Sequence, residues 1–267
     1  MLSAILHLVL PGAVLVILMM FVLWLIHLRI GNASIVDPGW AFGLPLLAVT
    51  YAVLGPGYVW RRWLLAGMAA VWGVRLGSHL LRRIVGRPEE GRYQELRRQW
   101  KDHLALKFLA FFEFQALLDL FLSLPFLLAA LNPERTLSPL EFAGTALWLV
   151  ALAGEAVADA QLAAFKRDPA SRGQVCQRGL WNYSRHPNYF FEWLIWVAWA
   201  LFALASPYGW IAILCPAVMF YFLFRVTGIP ATEAQALRSK GELYRRYQQT
   251  TSAFVPWFRR QARTSGV

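Results

Sequence analysis

The chain has 267 residues, of which 58% are hydrophobic and only 15% are charged, and it contains 13 tryptophans. A soluble globular domain carries about a quarter charged residues, so this composition excludes one. The net charge of +11 does not indicate a nucleic-acid-binding protein, because the basic residues do not form one stripe on a soluble domain. We therefore predict one all-α integral membrane domain that spans residues 1–267.

Seven stretches of the chain are long and apolar enough, or nearly so, to cross a bilayer. A transmembrane helix needs about 20 mostly apolar residues, because the hydrocarbon core is about 30 Å thick and each residue rises about 1.5 Å. The first stretch is too long for a signal peptide and lacks its basic start, so we expect a retained helix. The predicted spans are 4–29, 40–56, 62–83, 106–131, 139–165, 187–206 and 208–227.

The second of these spans is the weakest, and six spans are the alternative count. It is short and contains Gly43 and Pro45, which predicts a helix that is tilted, broken or partly buried by its neighbours. Two polar segments, 82–107 and 233–247, show the pattern of short amphipathic helices at the membrane surface.

The distribution of basic residues predicts how the chain crosses the membrane. With seven spans, the loops around 30–39, 84–105 and 166–186 lie on one side with the C-terminal tail, and these segments carry nearly all the Lys and Arg. By the positive-inside rule that side is cytoplasmic, which places the N-terminus outside.

The cysteines and histidines show no pattern of a disulfide framework or a metal site. Cys176 lies in a predicted loop and Cys215 in a predicted span, so we expect two reduced structural thiols. The five histidines have no spacing with cysteines or carboxylates that would complete a metal site.

Ionisable residues within a span cost about 2.5–3.5 kcal/mol each to insert, which makes them functional candidates. Glu141 lies near a span end, so its side chain either simply reaches the membrane surface or is functional. On the fifth span, Glu155, Asp159 and Lys166 share one helical face. This face is either a structural Asp–Lys network or the polar wall of a ligand cavity.

The most informative motif is GLWNYSRHPNY at 179–189, which is followed by Glu192. Pro187 suits the first turn of a helix, so we expect the sixth span to begin there. Arg185, Asn188 and Glu192 then lie along one side. The free amides of such a helix start favour a phosphate; the alternative is a basic loop that faces lipid headgroups.

This motif resembles the steroid 5α-reductase-like membrane proteins, and within them the bacterial family of unknown function DUF1295 most of all. Asp159 and Lys166 before the motif fit the resemblance, and so do Gly228, Glu233, Tyr244, Tyr247 and Pro256 after it. The segments DPGW at 37–40, WGVRLG at 72–77 and RPEEGRY at 87–93 fit as well. The resemblance covers nearly the whole chain.

The resemblance implies a seven-helix protein of the bacterial cell membrane that binds NADPH in its cytoplasmic half and a flat lipid, such as a steroid enone, within the bilayer. The implied enzyme is an NADPH-dependent oxidoreductase acting on CH–CH groups, similar to a 3-oxo-5α-steroid 4-dehydrogenase. Its hydrophobic substrate enters from the bilayer. The residues implied as cofactor contacts are Arg87, Asp159, Lys166, Tyr183, Arg185, His186, Asn188, Tyr189, Glu192, Glu233 and Tyr244.

The chain departs from the steroid 5α-reductases in its catalytic residues. Their Gln-Glu pair and catalytic Tyr have no clear counterpart in the first three spans, and Trp72 stands roughly in the place of the Tyr. Reduction of a polarised C=C bond still needs a proton donor. We predict Asp37 and Glu113 as catalytic carboxyls, with Asp119 as a further candidate. The alternatives are a helix cap for Asp37 and interhelical hydrogen bonds for the other two.

Two other functions remain open. An Arg-His-Pro-x-Tyr motif with a downstream Glu also occurs in integral-membrane methyltransferases that use S-adenosylmethionine, and a third possibility is a non-enzymatic lipid-binding protein. The phosphates of NADPH call for several cations, whereas S-adenosylmethionine is itself cationic at sulfur. The cations available on the predicted cytoplasmic side are Arg87, Lys166, Arg167, Arg172, Arg178 and Arg185.

Overall fold

The computed structural model describes residues 2–226 and 228–259, and the regular structure in this part of the chain is helical. The predicted all-α class is therefore confirmed. The α-helices are α1 (Leu2–Ile30), α2 (Val36–Leu54), α3 (Val59–Ile84), α4 (Gly91–Gln99), α5 (Leu104–Leu122), α6 (Leu124–Leu131), α7 (Pro139–Arg167), α8 (Pro187–Ala203), α9 (Leu214–Tyr221), α10 (Ile229–Lys240) and α11 (Glu242–Thr250).

Five helical segments of the described chain are long and apolar enough to cross a membrane: Leu2–Ile30, Ala33–Leu54, Val59–Ile84, Pro139–Arg167 and Gly209–Lys240. The α5–α6 pair is a sixth span if its two helices count as one. Helix α8 is apolar, but its 17 residues extend only about 26 Å, less than the hydrocarbon thickness of about 30 Å. The prediction of a multi-pass membrane protein is confirmed, and the count of seven spans stays a prediction.

The chain divides into two compact units. The first contains residues 1–141 and 202–212, and the second contains residues 142–201 and 213–267, so far as these are described. The single domain of residues 1–267 remains a prediction.

Helix α2 lies at the centre of the first unit, where it packs against α1, α3 and α5. More of it is buried than of any other candidate span. Gly73 of α3 lies directly against Pro45 and the carbonyl oxygen of Ala41, and Gly77 lies against the ring of Phe42, so a side chain at either glycine would clash. Small residues allow membrane helices to approach this closely. The prediction that neighbours bury this helix is confirmed.

The fourth predicted span, 106–131, is two helices bent by 41°. The break is at Ser123, whose hydroxyl donates to the carbonyl of Leu120 over 2.8 Å and lies 3.2 Å from the hydroxyl of Tyr51. Pro125 follows in the first turn of α6, and it has no amide hydrogen to continue the helical pattern. The bend thus has a local cause that the apolar pattern alone does not reveal.

A buried ion pair holds the loop after α6 in the first unit. Arg61 and Glu141 are 1% and 0% exposed and are hydrogen bonded to each other. Arg61 also donates to the carbonyl of Thr136 over 2.6 Å and to that of Glu134, while Glu141 accepts from the amide of Ser138 over 2.7 Å. Of the two alternatives for Glu141, the one in which it reaches the membrane surface is wrong, because Arg61 satisfies its charge inside the protein.

The second unit is built on α7 and α8, which approach closely where Gly154 meets the ring of Phe191. Trp181 fixes the preceding loop by donating from Nε1 to the carbonyl of Ala158 over 2.9 Å. Helix α8 begins at Pro187 as predicted. The short helices predicted at 82–107 and 233–247 occur as α4 and as the α10–α11 pair, which is interrupted at Gly241 where φ is 49°.

Candidate functional site

Four polar side chains converge on the carboxylate of Glu233 in the second unit. Arg185 donates from Nε to Oε1 over 2.7 Å, and Gln248 donates from Nε2 to Oε2 over 2.8 Å. The Nε2 atom of His186 lies 3.2 Å from Oε1, and the hydroxyl of Tyr244 donates to the same oxygen over 3.5 Å. Glu233 thus connects the loop before α8 to α10 and α11.

Arg185 is held from several sides. Besides Glu233, its Nη1 donates to the carbonyl oxygens of Gln248 and Thr251 over 3.0 and 2.6 Å, and its amide donates to the carbonyl of Ser252 over 2.8 Å. The side chain is 11% exposed. Its charge is therefore compensated within the protein, and its main role in this geometry is to fix the loop. The cofactor contact implied for Arg185 stays a prediction.

Two tyrosines of α11 support the same loop. Burial raises the pKa of Tyr247, and burial together with the nearby charge of Glu233 raises the pKa of Tyr244. Both phenols therefore keep their protons at neutral pH and act as donors. Tyr247 donates to the carbonyl oxygens of Trp181 and Ser184, the latter over 3.1 Å.

The motif residues that follow Arg185 line the start of α8. The rings of His186 and Tyr189 stack with centroids 5.4 Å apart and an interplanar angle of 7°. The Tyr189 hydroxyl lies 3.2 Å from that of Thr232. Tyr183 is 41% exposed, and its ring meets that of Phe258 edge to face. His186 and Tyr189 therefore belong to one packed group, whereas Tyr183 lies at its edge.

The polar face predicted on α7 meets α8. Asn188 donates from Nδ2 to Asp159 over 3.3 Å, and Trp196 donates from Nε1 to Glu192 over 3.0 Å. Lys166 makes no hydrogen bond or ion pair with any described residue. The predicted alternative of a direct Asp159–Lys166 pair is therefore not what the structure shows.

Three positive charges act on the buried thiol of Cys176. Burial raises the pKa of this thiol, while the charges of Lys240, Arg178 and Lys166 act in the opposite direction. The guanidinium of Arg178 lies 5.8 Å from the ring centre of Phe165, which packs on Cys176. Cations from α7, from the loop after it and from α10 thus influence the same thiol. We call Lys166, Arg178 and Lys240 the cationic cluster.

The cationic cluster has little acidic compensation. The nearest carboxylate that pairs with it is Asp168, 3.7 Å from Arg178. In the described chain neither Lys166 nor Lys240 has a hydrogen bond or an ion pair. Uncompensated cations in this arrangement favour a phosphate-bearing ligand.

The first unit contains the predicted catalytic residue Asp37. Its carboxylate accepts hydrogen bonds from the Tyr93 hydroxyl over 2.6 Å and from Arg92, whose guanidinium lies 4.6 Å from the centre of the Tyr93 ring. Burial, and then the charge of Asp37, raise the pKa of Tyr93 well above its ordinary value. Asp37 is an acceptor in this group, and the proton between the two residues is on Tyr93.

The other predicted carboxyls lie on α5, and Arg87 follows α3. Oε2 of Glu113 and both carboxyl oxygens of Asp119 are buried without a hydrogen-bond partner among the described residues. Asp119 is fully buried and lies against Gly43 of α2. Arg87 is exposed on the first unit, and its carbonyl accepts from Asn32 over 3.3 Å. The roles predicted for Glu113 and Arg87 stay predictions.

Lys240 and Gln248 were not among the residues predicted from the sequence. A signal for Gln248 was available, because Tyr244 and Gln248 are four residues apart and therefore share one face of α11. Lys240 gave no such signal, since its neighbours in the cationic cluster are more than 60 residues away in the chain.

The long apolar helices define a multi-pass integral membrane protein, and its second unit contains a polar candidate site. A family model described as "Protein of unknown function (DUF1295)" matches residues 23–251. The chain belongs to this family, as its motifs predicted. Comparisons with curated proteins and with solved structures gave no significant match.

Proposed function

We propose that the protein is a membrane reductase that uses NADPH to reduce a C=C bond in a hydrophobic substrate, such as a lipid or steroid-like enone, taken from the bilayer. The observation that carries the proposal is the cationic cluster of Lys166, Arg178 and Lys240, whose two lysines have no acidic partner in the described chain. NADPH bears a diphosphate and a 2′-phosphate, and such groups need cations that are not already paired. Bound NADPH supplies the hydride.

The cationic cluster fits NADPH better than it fits S-adenosylmethionine. Lys166 and Lys240 have no acidic partner in the described chain, and Arg178 has only the 3.7 Å contact with Asp168. S-adenosylmethionine has no phosphate and carries a positive sulfur, so an uncompensated group of cations disfavours it. This difference in charge favours the reductase over the methyltransferase.

The neighbouring residues would shape the cofactor site. Asp159 and Asn188, joined over 3.3 Å, offer acceptors and donors of the kind that bind ribose hydroxyls and amides. Glu233, on α10, positions His186 and Tyr244. These residues would bind and orient, while the cationic cluster would carry the charge of the phosphates.

The proton of the reduction is proposed to come from the group around Asp37. Tyr93 holds a proton and donates it to the carboxylate of Asp37 over 2.6 Å. Arg92 forms an ion pair with that carboxylate. Asp37 therefore positions the hydroxyl of Tyr93. Tyr93 would give its proton to the substrate carbon next to the one that receives the hydride, and the phenolate left behind would be reprotonated from water.

The cofactor proposal predicts the effect of removing one cation. Lys166→Ala should weaken NADPH binding to the detergent-purified protein by about 1.5–3 kcal/mol, the range for a charge-assisted hydrogen bond. Lys240→Ala should act in the same direction. Fluorescence titration of NADPH against each variant measures the effect. Lys101→Ala, at an exposed lysine of the first unit, is the control and should bind as the wild type does.

The proposal also includes an orientation in the bacterial cell membrane. With seven spans the basic loops and the C-terminal tail are cytoplasmic, because most Lys and Arg lie in them. Reporter fusions at about residue 172 and at the C-terminus should both report the cytoplasm, and one at the N-terminus should report the outside. Opposite sides for the first two positions would contradict this topology.

A further inference from the structure

A groove of about 290 Å³ lies at the C-terminal ends of α1 and α3 in the first unit. Its walls are mainly aliphatic and include Ile30, Leu81 and Ile84. Two polar side chains, Asn32 and Arg87, complete the lining. A groove with this composition fits a ligand that is apolar over most of its length and anionic at one end.

The position of the groove in the fold puts it at a membrane surface. Helices α1 and α3 are both candidate spans, and a third span, Ala33–Leu54, lies between them in the chain. When that segment crosses the bilayer, the ends of α1 and α3 reach the same face. Ile30 and Val85 are 56% and 73% exposed there. The groove therefore opens where hydrocarbon gives way to headgroups.

Arg87 is the arginine of the groove, and neither of the two nearby carboxylates pairs with it. Glu89 pairs with Arg97 and Glu90 with Arg83, each over 2.7 Å. The side chain of Arg87 has no ion pair or hydrogen bond with the part of the chain that the structure describes. Both nearby carboxylates are thus neutralised, and the charge of Arg87 remains available to a ligand.

Further positive charge lies beside the groove. Arg29 is in the last turn of α1 and Arg82 in the last turn of α3. Both are exposed, and neither pairs with an acid among the described residues. Basic pockets at helix ends on the cytoplasmic side of membrane proteins attract anionic lipid headgroups, with about 1 kcal/mol for each basic residue near the surface.

The backbone holds Arg87 at this place. Gly86 has a φ of 69°, which few other residues adopt at low cost. The turn is closed by a hydrogen bond from the Arg87 amide to the carbonyl of Ile84 over 3.1 Å. Asn32 donates to the carbonyl of Arg87 over 3.3 Å. The backbone of Arg87 is therefore held next to the apolar walls before a ligand arrives.

We propose that this groove binds an anionic phospholipid, with its phosphate at Arg87 and the first part of an acyl chain against Ile30, Leu81 and Ile84. This assigns Arg87 to a lipid rather than to NADPH, in contrast to the role that the family resemblance implies. The side-chain amide of Asn32 is engaged with the backbone of Arg87, so the groove offers little to the riboses and diphosphate of a dinucleotide. The inference does not depend on the proposed reductase activity.

Native mass spectrometry of the full chain tests the lipid site. The protein is purified in detergent and mixed with phosphatidylglycerol or with phosphatidylcholine of the same acyl chains. We expect retention of phosphatidylglycerol over phosphatidylcholine, and Arg87→Ala should reduce that retention about fivefold, the effect of one surface charge. Arg98→Ala is the matched control, because Arg98 is 71% exposed on α4 and interacts only weakly, at 3.7 Å, with Glu95.

Ile84→Trp is a second variant, which fills the apolar part of the groove and leaves Arg87 in place. It should reduce retention of phosphatidylglycerol as well, and it decides the question if Arg87→Ala does not yield folded protein. Equal retention of the two lipids by the wild type, or undiminished retention of phosphatidylglycerol in both variants, would overturn the proposal. NADPH titration separates the two roles of Arg87: reduced NADPH affinity with unchanged lipid retention would return this residue to the cofactor site.

Discussion

Substitution of Tyr93 by Phe is expected to reduce turnover by about 10²–10⁴-fold, the contribution typical of a positioned proton donor. The variant keeps the ring that meets Phe111 edge to face and loses only the hydroxyl bonded to Asp37. Because the cofactor is proposed to bind to the second unit, NADPH affinity should not change. The assay is oxidation of NADPH in the presence of an enone lipid such as a 4-en-3-one steroid.

Asp37→Asn changes the acceptor of the same hydrogen bond, whereas Tyr93→Phe removes its donor. The amide keeps the shape of the carboxyl but removes the charge that accepts from Tyr93 and Arg92. We expect it to keep NADPH binding and to lose substrate-dependent NADPH oxidation. Normal turnover in both variants would refute this proton pathway and direct attention to Glu113 and Asp119. Their buried oxygens lack hydrogen-bond partners among the described residues.

Removal of one member of the Arg61–Glu141 pair is expected to destabilise the protein by about 3–5 kcal/mol, because it leaves an uncompensated charge buried. Arg61 and Glu141 are 1% and 0% exposed. The loop that they hold, through Glu134, Thr136 and Ser138, should loosen with either substitution. Thermal unfolding of detergent-purified Arg61→Ala and Glu141→Ala measures the loss as a lower Tm.

Two controls make this stability test specific. Arg135 lies exposed in the same loop, so Arg135→Ala should leave the Tm nearly unchanged. The double substitution Arg61→Met with Glu141→Leu removes both charges and should recover part of the lost stability, since a buried pair is often replaceable by apolar residues of similar volume. A small effect of Arg61→Ala, equal to that of Arg135→Ala, would mean that the pair is not the main support of the loop.

Local signals in the sequence predicted the elements of the fold well. The apolar stretches predicted the long helices, and Pro187 predicted the first residue of α8. Both depend on chain geometry over a few residues. The bend at Ser123 was missed because the apolar composition continues across it, although Pro125 was a local signal for a break.

Contacts between distant segments were predicted less well. Whether Glu141 reaches the surface was left open, because the sequence does not show that Arg61, 80 residues away, pairs with it. For the candidate site, the sequence indicated Glu233 and Arg185 separately, whereas the direct bond between them appears only in the fold. Lys240 was missed for the same reason. The sequence shows which residues are charged or polar enough to form a site, but it does not show which of them contact each other.

The most direct test of the proposed function is a comparison of cofactor binding by the wild-type protein. Detergent-purified protein is titrated by isothermal calorimetry with NADPH, with NADH, which lacks the 2′-phosphate, and with S-adenosylmethionine. We expect NADPH to bind most tightly, NADH more weakly because it lacks a phosphate for the cationic cluster around Cys176, and S-adenosylmethionine not to bind. Binding of S-adenosylmethionine without binding of NADPH would contradict the reductase and support the methyltransferase.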